Sequence, residues 1–167
     1  VLAESVPAGD VEATLRNAIH DLDRISGIEV RANGPLVRSR PAGGPAQPDY
    51  LNTVIRVHTA LSPRELLAAC NGIEIVHGRE RGVPNGPRTL DIDIVDFNGM
   101  QVELPDLILP HPRAKERAFV LTPWAAMEPD AVLPGAGRVA DVAAALPEGV
   151  TVVAAVWPAR ATPAQQP

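Results

Sequence analysis

The five residues Leu90-Asp91-Ile92-Asp93-Ile94 constrain the fold of this chain more than any other stretch. Apolar and acidic side chains alternate, and in an extended segment residues i and i+2 project from the same face. A strand here turns Leu90, Ile92 and Ile94 into a core and leaves Asp91 and Asp93 side by side on the other face. Two carboxylates on one face repel each other and need a counter-charge. A hard divalent cation that also holds substrate phosphates supplies it. Arg79, Arg81 and Arg88 stand close by in sequence as planar donors for phosphate oxygens. Together these groups make a constellation for phosphoryl transfer. The plainer alternative, a solvated polar face on an edge strand, stays open on these residues alone.

Composition removes several competing classes. The net charge is −5 and aromatic residues make up 3%, which argues against a nucleic-acid surface with its basic face and stacking platforms. Fourteen arginines accompany a single lysine, Lys115, and no Gly-x-x-x-x-Gly-Lys-Ser/Thr occurs. The chain is therefore not a P-loop enzyme, and phosphate handling falls to arginine. One cysteine, Cys70, excludes an internal disulfide framework and fits a reducing compartment. No apolar run reaches the roughly 20 residues that span a bilayer, and no signal-peptide pattern is visible. The expectation is a cytoplasmic protein without a membrane partner, a monomer by default. The 167 residues suffice for one domain, expected over 1–158, with 159–167 as a flexible tail. The sequence opens at Val1 without a methionine, which leaves a longer polypeptide open.

Periodicity places the motifs. Val11, Leu15, Ala18, Ile19, Leu22 and Ile25 recur at helical spacing from Asp10, with Gly27 as the stop. Ile28–Ala32 reads as a short strand, and the Gly/Pro-rich residues 33–49 read as one long loop. Leu51–Ala60 alternates as a single strand, with Leu51, Thr53, Ile55 and Val57 on one side. Ser62-Pro63-Arg64-Glu65 supplies a cap, a first-turn proline and a capping-box glutamate for a helix ending near Gly78. Thr89–Phe97 is expected as a strand, Asn98-Gly99 as a hairpin turn, and Met100–Leu104 as the return strand. A proline-bounded apolar segment at Leu107–Pro112 precedes a helix carrying Ala118, Leu121, Trp124 and Ala125, which Pro123 interrupts. Val139–Leu146 reads as a helix and Val150–Val156 as a strand. This order suggests an α+β domain, an antiparallel sheet with helices packed on it. Cys70 reads as buried packing, and His20, His58 and His77 as solvated positions.

Five ordered motifs carry a resemblance. They are Gln47-Pro-Asp-Tyr50-Leu-Asn52; Glu74 with Gly78-Arg79-x-Arg81; Gly86-Pro-Arg88-Thr-Leu-Asp91-x-Asp93; Leu109-Pro-His111-Pro-Arg113; and Arg117-x-Phe119. Over roughly residues 10–135 the chain resembles the 6-hydroxymethyl-7,8-dihydropterin pyrophosphokinases of folate synthesis. The resemblance implies a ferredoxin-like α+β sandwich and transfer of the β,γ-pyrophosphoryl group of ATP to the pterin hydroxymethyl oxygen. It implies two Mg²⁺ ions on Asp91 and Asp93, with Asp91 also near the attacking hydroxyl. Arg79, Arg88, Asp91 and Asp93 take the catalytic roles. Glu74, Arg81, Arg88, Ile94, His111 and Arg117 line the ATP site. Tyr50, Asn52 and Phe119 hold the pterin ring, with Ser39 and Ala42 closing its pocket. Fusion to a neighbouring folate-pathway enzyme is a further implication left open.

The chain departs from that family's pattern in three places. Ser5-Val6-Pro7-Ala8-Gly9-Asp10 stands where a Gly-Ser-Asn turn is usual, and Pro84-Asn85 where an Arg-Trp precedes Gly-Pro-Arg. An aromatic residue usual near Val37 is absent, and Arg40 replaces a proline. These departures motivate a second reading: a relative that binds pterin or nucleotide, or serves as a partner domain, with little turnover.

Overall fold

The computed structural model describes residues 2–3, 8–39, 49–77, 90–147 and 149–157. Among these the first half of the chain gives β1 (Leu2–Ala3), α1 (Ala8–Asp23), β2 (Ile28–Asn33), β3 (Leu36–Ser39), β4 (Tyr50–Asn52), β5 (Ile55–Thr59) and α2 (Pro63–Val76). The second half gives the pair β6 (Val102–Leu104) and β7 (Leu107–Leu109), then α3 (Ala118–Met127). The short pair β8 (Val132–Leu133) and β9 (Gly137–Arg138), α4 (Val139–Ala144) and β10 (Thr151–Ala154) complete it. All strand pairings among the described residues are antiparallel, in the order β1-β4-β3-β10, with β2-β5, β6-β7 and β8-β9 as separate pairs. This is an α+β fold. No helix of the described residues is long and apolar enough to cross a membrane.

Two apolar clusters hold it. Val11, Leu15, Ala18, Ile19 and Leu22 of α1 meet Leu66, Cys70 and Ile73 of α2 over Ile28, Leu36, Leu51, Leu90 and Ile92. Each fully buried leucine in such a cluster stabilises by about 1.5–3 kcal/mol. Leu121 and Trp124 of α3 form the second cluster with Ala114, Leu133 and Val139. Helix α2 starts as its sequence dictates. Ser62 Oγ accepts from the Glu65 backbone N–H, and Glu65 Oε1 accepts from the Ser62 N–H. Helix α1 ends in a turn that reaches Gly27 at φ +90°, a value glycine adopts freely.

Four expectations need correction. Residues 33–49 are not all loop, because Leu36–Ser39 forms a strand paired with both β4 and β10. The strand expected over Leu51–Ala60 is two strands, broken at Thr53-Val54. Both errors have one cause. The segments 28–39 and 50–59 run as one bent hairpin, kinked where Gly34-Pro35 faces Thr53-Val54. Pro35 has no N–H to give a ladder, so the Thr53 hydroxyl donates to the Gly34 and Pro35 carbonyls instead, and Gly34 N–H donates to Val54 O. A Cβ on Gly34 would lie 3.0 Å from both Pro123 O and Val54 O, so a larger residue would press on the backbone that α3 brings against the kink.

The third correction concerns the hairpin after the aspartates. Asn98 (φ 53°) and Gly99 (φ 70°) do make the tight turn, closed by Met100 N–H to Phe97 O at 2.9 Å. Its flanks do not pair as strands, however. Residues 92–96 lie outside any ladder, and Val102–Leu104 pairs with Leu107–Leu109 across Pro105-Asp106. The nearer turn wins, because its β7 side chains Leu107 and Leu109 reach the core. Pro123 does not interrupt its helix, since α3 runs through it to Met127. The expected tail, 159–167, lies outside the described residues.

Candidate active site

The end of the bent hairpin gathers three of the expected pterin residues. Tyr50 faces Ser39 across the β3–β4 ladder, and Asn52 faces Val37. Asn52 is 1% exposed, and its Nδ2 donates to Ser39 Oγ at 3.1 Å. Its Oδ1 is also buried and has no partner among the described residues. An unpaired buried carbonyl oxygen costs about 1–3 kcal/mol. An arrangement of that kind suits a ligand N–H arriving at the oxygen.

The aspartate segment is hung from side chains rather than from a ladder. The expected alternation holds in part: Leu90 and Ile92 are buried and Asp93 is exposed, while Asp91 and Ile94 are both half-buried. Glu74, 5% exposed on α2, accepts the Ile92 N–H on its Oε1 at 2.9 Å. The bond falls between the two aspartates and fixes the backbone that presents them. On the far side His111 N–H donates to Val95 O at 2.8 Å, just after the cis Leu109-Pro110 bond. Asp93 then meets Arg117 at 3.7 Å, with its side chain 47% exposed, and the Arg117 guanidinium lies 5.5 Å from the Phe119 ring centre. His111 Nδ1 accepts from Arg113 N–H. Burial holds the His111 pKa below the ordinary imidazole value; Asp93 pulls it the other way, while Arg117 and Arg113 add to the lowering.

The two regions face each other across a cleft of about 370 Å³. It is lined by the consecutive residues 52–59 and 92–98, so backbone as well as side chains of both segments border it. Phe119 and Trp124 close it from α3, Leu66 and Cys70 from α2. Asn52, Asp93, Ile94 and Phe119 therefore share one cavity. Glu74, expected at the nucleotide, is in the structure behind that wall. Arg79, Arg81, Arg88 and Ala42 lie outside the described residues.

Among the described residues no group of three or more His, Cys, Asp or Glu side chains gathers to hold a metal. Asp91 and Asp93 stand two positions apart, and a magnesium-type ion needs only one or two carboxylates, its remaining positions being filled by phosphate oxygens and water.

The model of the 7,8-dihydro-6-hydroxymethylpterin-pyrophosphokinase (HPPK) family matches residues 6–129, most of the chain. The chain belongs to this family. A 2-amino-4-hydroxy-6-hydroxymethyldihydropteridine pyrophosphokinase of Synechocystis is 43% identical over 130 residues, 78% of this chain and 66% of that one. The protein of the same description from Methylorubrum extorquens is 41% identical over 127 residues, 76% of this chain and 80% of its own. The "Bifunctional protein FolKE" of Lactococcus lactis is 36% identical over 115 residues, which are 69% of this chain and 33% of that longer one. The family domain thus occurs both as most of a protein and as a third of one.

Sequence reasoning missed two features of this site. Glu74 was legible as a polar residue on a helix, but its bond to a backbone N–H eighteen positions away was not. His77, read as solvated, has a side chain only 15% exposed and bonds Asp21. Its place just after a capped helix whose apolar face packs on α1 was the available signal.

Proposed function

We propose that this chain transfers the β,γ-pyrophosphoryl group of ATP to the hydroxymethyl oxygen of 6-hydroxymethyl-7,8-dihydropterin, releasing AMP. The observation that carries this reading is the shared cleft. Asn52, whose buried Oδ1 has no partner among the described residues, and Asp93, which pairs with Arg117, both line it together with Phe119. A flat heterocycle with N–H edges suits the first group, and a polyphosphate suits the second.

In this reading Asn52 reads the pterin edge, Phe119 packs on its ring, and Tyr50 and Ser39 with Ala42 complete the pocket. Asp91 and Asp93 hold two Mg²⁺ ions, which neutralise phosphate charge when bound. Asp91 also orients the attacking hydroxyl. The hydroxyl oxygen bonds to the β-phosphorus, the bond from that phosphorus to the α-phosphate oxygen breaks, and the proton passes to solvent. Arg79 and Arg88 carry the developing charge on the transferred group, and Arg81 approaches it with the arginine segment. Ile94, His111 and Arg117 bound the nucleotide, and a His111 kept neutral by burial can accept or donate one hydrogen bond there. Glu74 contributes by holding Ile92. Positioning and charge neutralisation supply most of what phosphoryl transfer asks of a protein. Residues 1–158 form the catalytic unit, a cytoplasmic monomer that also suits fusion to another folate-pathway enzyme.

The test is incubation with ATP, Mg²⁺ and the pterin, followed by separation of the nucleotides. AMP that forms only when both pterin and metal are present supports the reading. The replacement of Arg-Trp by Pro84-Asn85 favours the second reading, a binder with little turnover. Saturable pterin or ATP binding without AMP would establish that instead.

A further inference from the structure

The strands that carry Ser39 and Asn52 are braced from far along the chain. β3 lies between β4 and β10 in the sheet order β1-β4-β3-β10. Val37 of β3 pairs with Asn52 on one side and with Val152 of β10 on the other, so these residues form one row across the sheet. Ser39, whose Oγ accepts from Asn52 Nδ2, is the last residue of β3. Without β10, β3 would be an edge strand, and a short pairing with one neighbour is marginal.

β10 does not hold this place by its own burial. Val152 is 50% and Val153 42% exposed, and the register on β3 slips between Val152 and Ala154. The buried anchor stands three residues beyond the strand. Trp157 is 3% exposed within the cluster that contains Val11 and Leu15 of α1. Its indole N–H donates to Glu12 Oε1 of α1 at 2.9 Å, and the same oxygen accepts from Arg16 at 3.1 Å. A buried aromatic ring with a satisfied polar handle ties the end of the strand to one place. β10 and Trp157 both fall beyond residues 6–129, the stretch that matches the family model.

We infer that the Trp157–Glu12 clamp is a positioning device for the pterin: through β10 it fixes β3, and with it the Ser39 hydroxyl and the Asn52 amide at the ring edge. Trp157 does not line the cleft and acts only through the sheet. Its effect falls on pterin rather than on ATP, because Asp93, His111 and Arg117 belong to segments that β10 does not pair with. The inference rests on the pyrophosphokinase reading above.

The experiment compares the wild-type chain with Trp157→Ala, Trp157→Phe, Glu12→Leu and Glu12→Gln, following AMP release, pterin KM, ATP KM and Tm. Trp157→Ala is expected to raise pterin KM about tenfold and to leave ATP KM within about twofold of wild type. Trp157→Phe, which keeps a ring in the core, recovers part of the loss. Glu12→Gln, whose amide oxygen still accepts the indole N–H, stays closer to wild type than Glu12→Leu. A pterin KM within about twofold of wild type in folded Trp157→Ala, or an equal rise in both KM values, overturns the inference and leaves a structural anchor only. If Trp157→Ala fails to fold, Trp157→Phe and Glu12→Leu decide. A pterin KM raised about threefold with ATP KM unchanged supports the clamp, and no such split overturns it. If the wild type forms no AMP, the transfer reading fails separately, and pterin Kd from fluorescence titration is judged by the same thresholds. A wild type that binds no pterin overturns both.

Discussion

The two walls of the cleft are built by different means. The hairpin wall, residues 28–39 and 50–59, is held by strand pairing almost throughout, and its single kink is closed by the Thr53 hydroxyl and Gly34. The aspartate wall, residues 90–98, lies outside any ladder apart from an isolated bridge at Asp91. Side chains and single backbone bonds hold it: Glu74 at Ile92, His111 N–H at Val95, Arg117 at Asp93. A ladder spreads its strength over many bonds, and one substitution rarely undoes it. A wall hung from separate contacts is positioned by a few groups and can be moved by any of them. On the proposed reading, the ladder is the wall that reads a rigid ring and the suspended wall is the one that gathers metal and phosphate.

That contrast can be broken most severely at Asp93. Asp93→Ala is expected to abolish metal-dependent AMP formation while circular dichroism and Tm stay near wild type, because the side chain is 47% exposed. Full activity in that variant would remove the metal assignment. Glu74→Leu comes next. It strands the buried Ile92 N–H, so unfolding in urea is expected to show a loss of about 1–3 kcal/mol, together with lowered turnover in the fraction that remains folded. Gly34→Ala probes the opposite wall. Its Cβ would meet the Pro123 and Val54 carbonyls at 3.0 Å, and a destabilisation of about 1–3 kcal/mol with pterin KM little changed is expected from overpacking at the kink. If Gly34→Ala damages turnover more than Glu74→Leu does, the two walls have the wrong roles.

Cys70, on the floor between the walls, gives the smallest effect. Burial, reinforced by Glu74 and Asp93, pushes its thiol from 9.0 up to about 11. A group with a raised native pKa contributes stability that is whole below its ordinary value and lost as pH rises through the native one. The pH–stability curve of Cys70→Ala should therefore run flatter than that of wild type between 9.0 and about 11. In the folded chain at pH 8, alkylation of Cys70 should be slow. Rapid labelling there would show the cleft floor to be open.

The sequence made the suspended wall easier to read than the ladder. The alternation Leu90–Ile94 is local, and Leu90, Ile92 and Asp93 follow a period of two, although Asp91 and Ile94 are both half-buried and residues 92–96 join no ladder. The Ser62–Glu65 capping box is equally local, and both of its hydrogen bonds form. β3 was hidden because Gly34-Pro35 looks like the opening of a loop, and its function as a kink depends on Thr53, nineteen positions away. The strand order around Asn98-Gly99 was misread because two turns compete there, and local propensity does not rank them. Trp157 was not read at all. It lies 3% exposed in the first core, with its indole N–H on Glu12 Oε1, a contact across 145 positions. Of the site residues, Ser39, Tyr50 and Asn52 meet on one hairpin, while Asp93, Arg117 and Phe119 meet across from it. The buried roles of Glu74 and His77 needed the packing of α2 against α1 and residues 90–94.

The most direct measurement of the central claim follows two labels of ATP, one in the β- and one in the γ-phosphate, onto the pterin. Both labels reaching the pterin in equal amounts, with unlabelled AMP left behind, is the result expected of a site that moves pyrophosphate as one unit. Transfer of the γ-label alone, with ADP as the product, would contradict it.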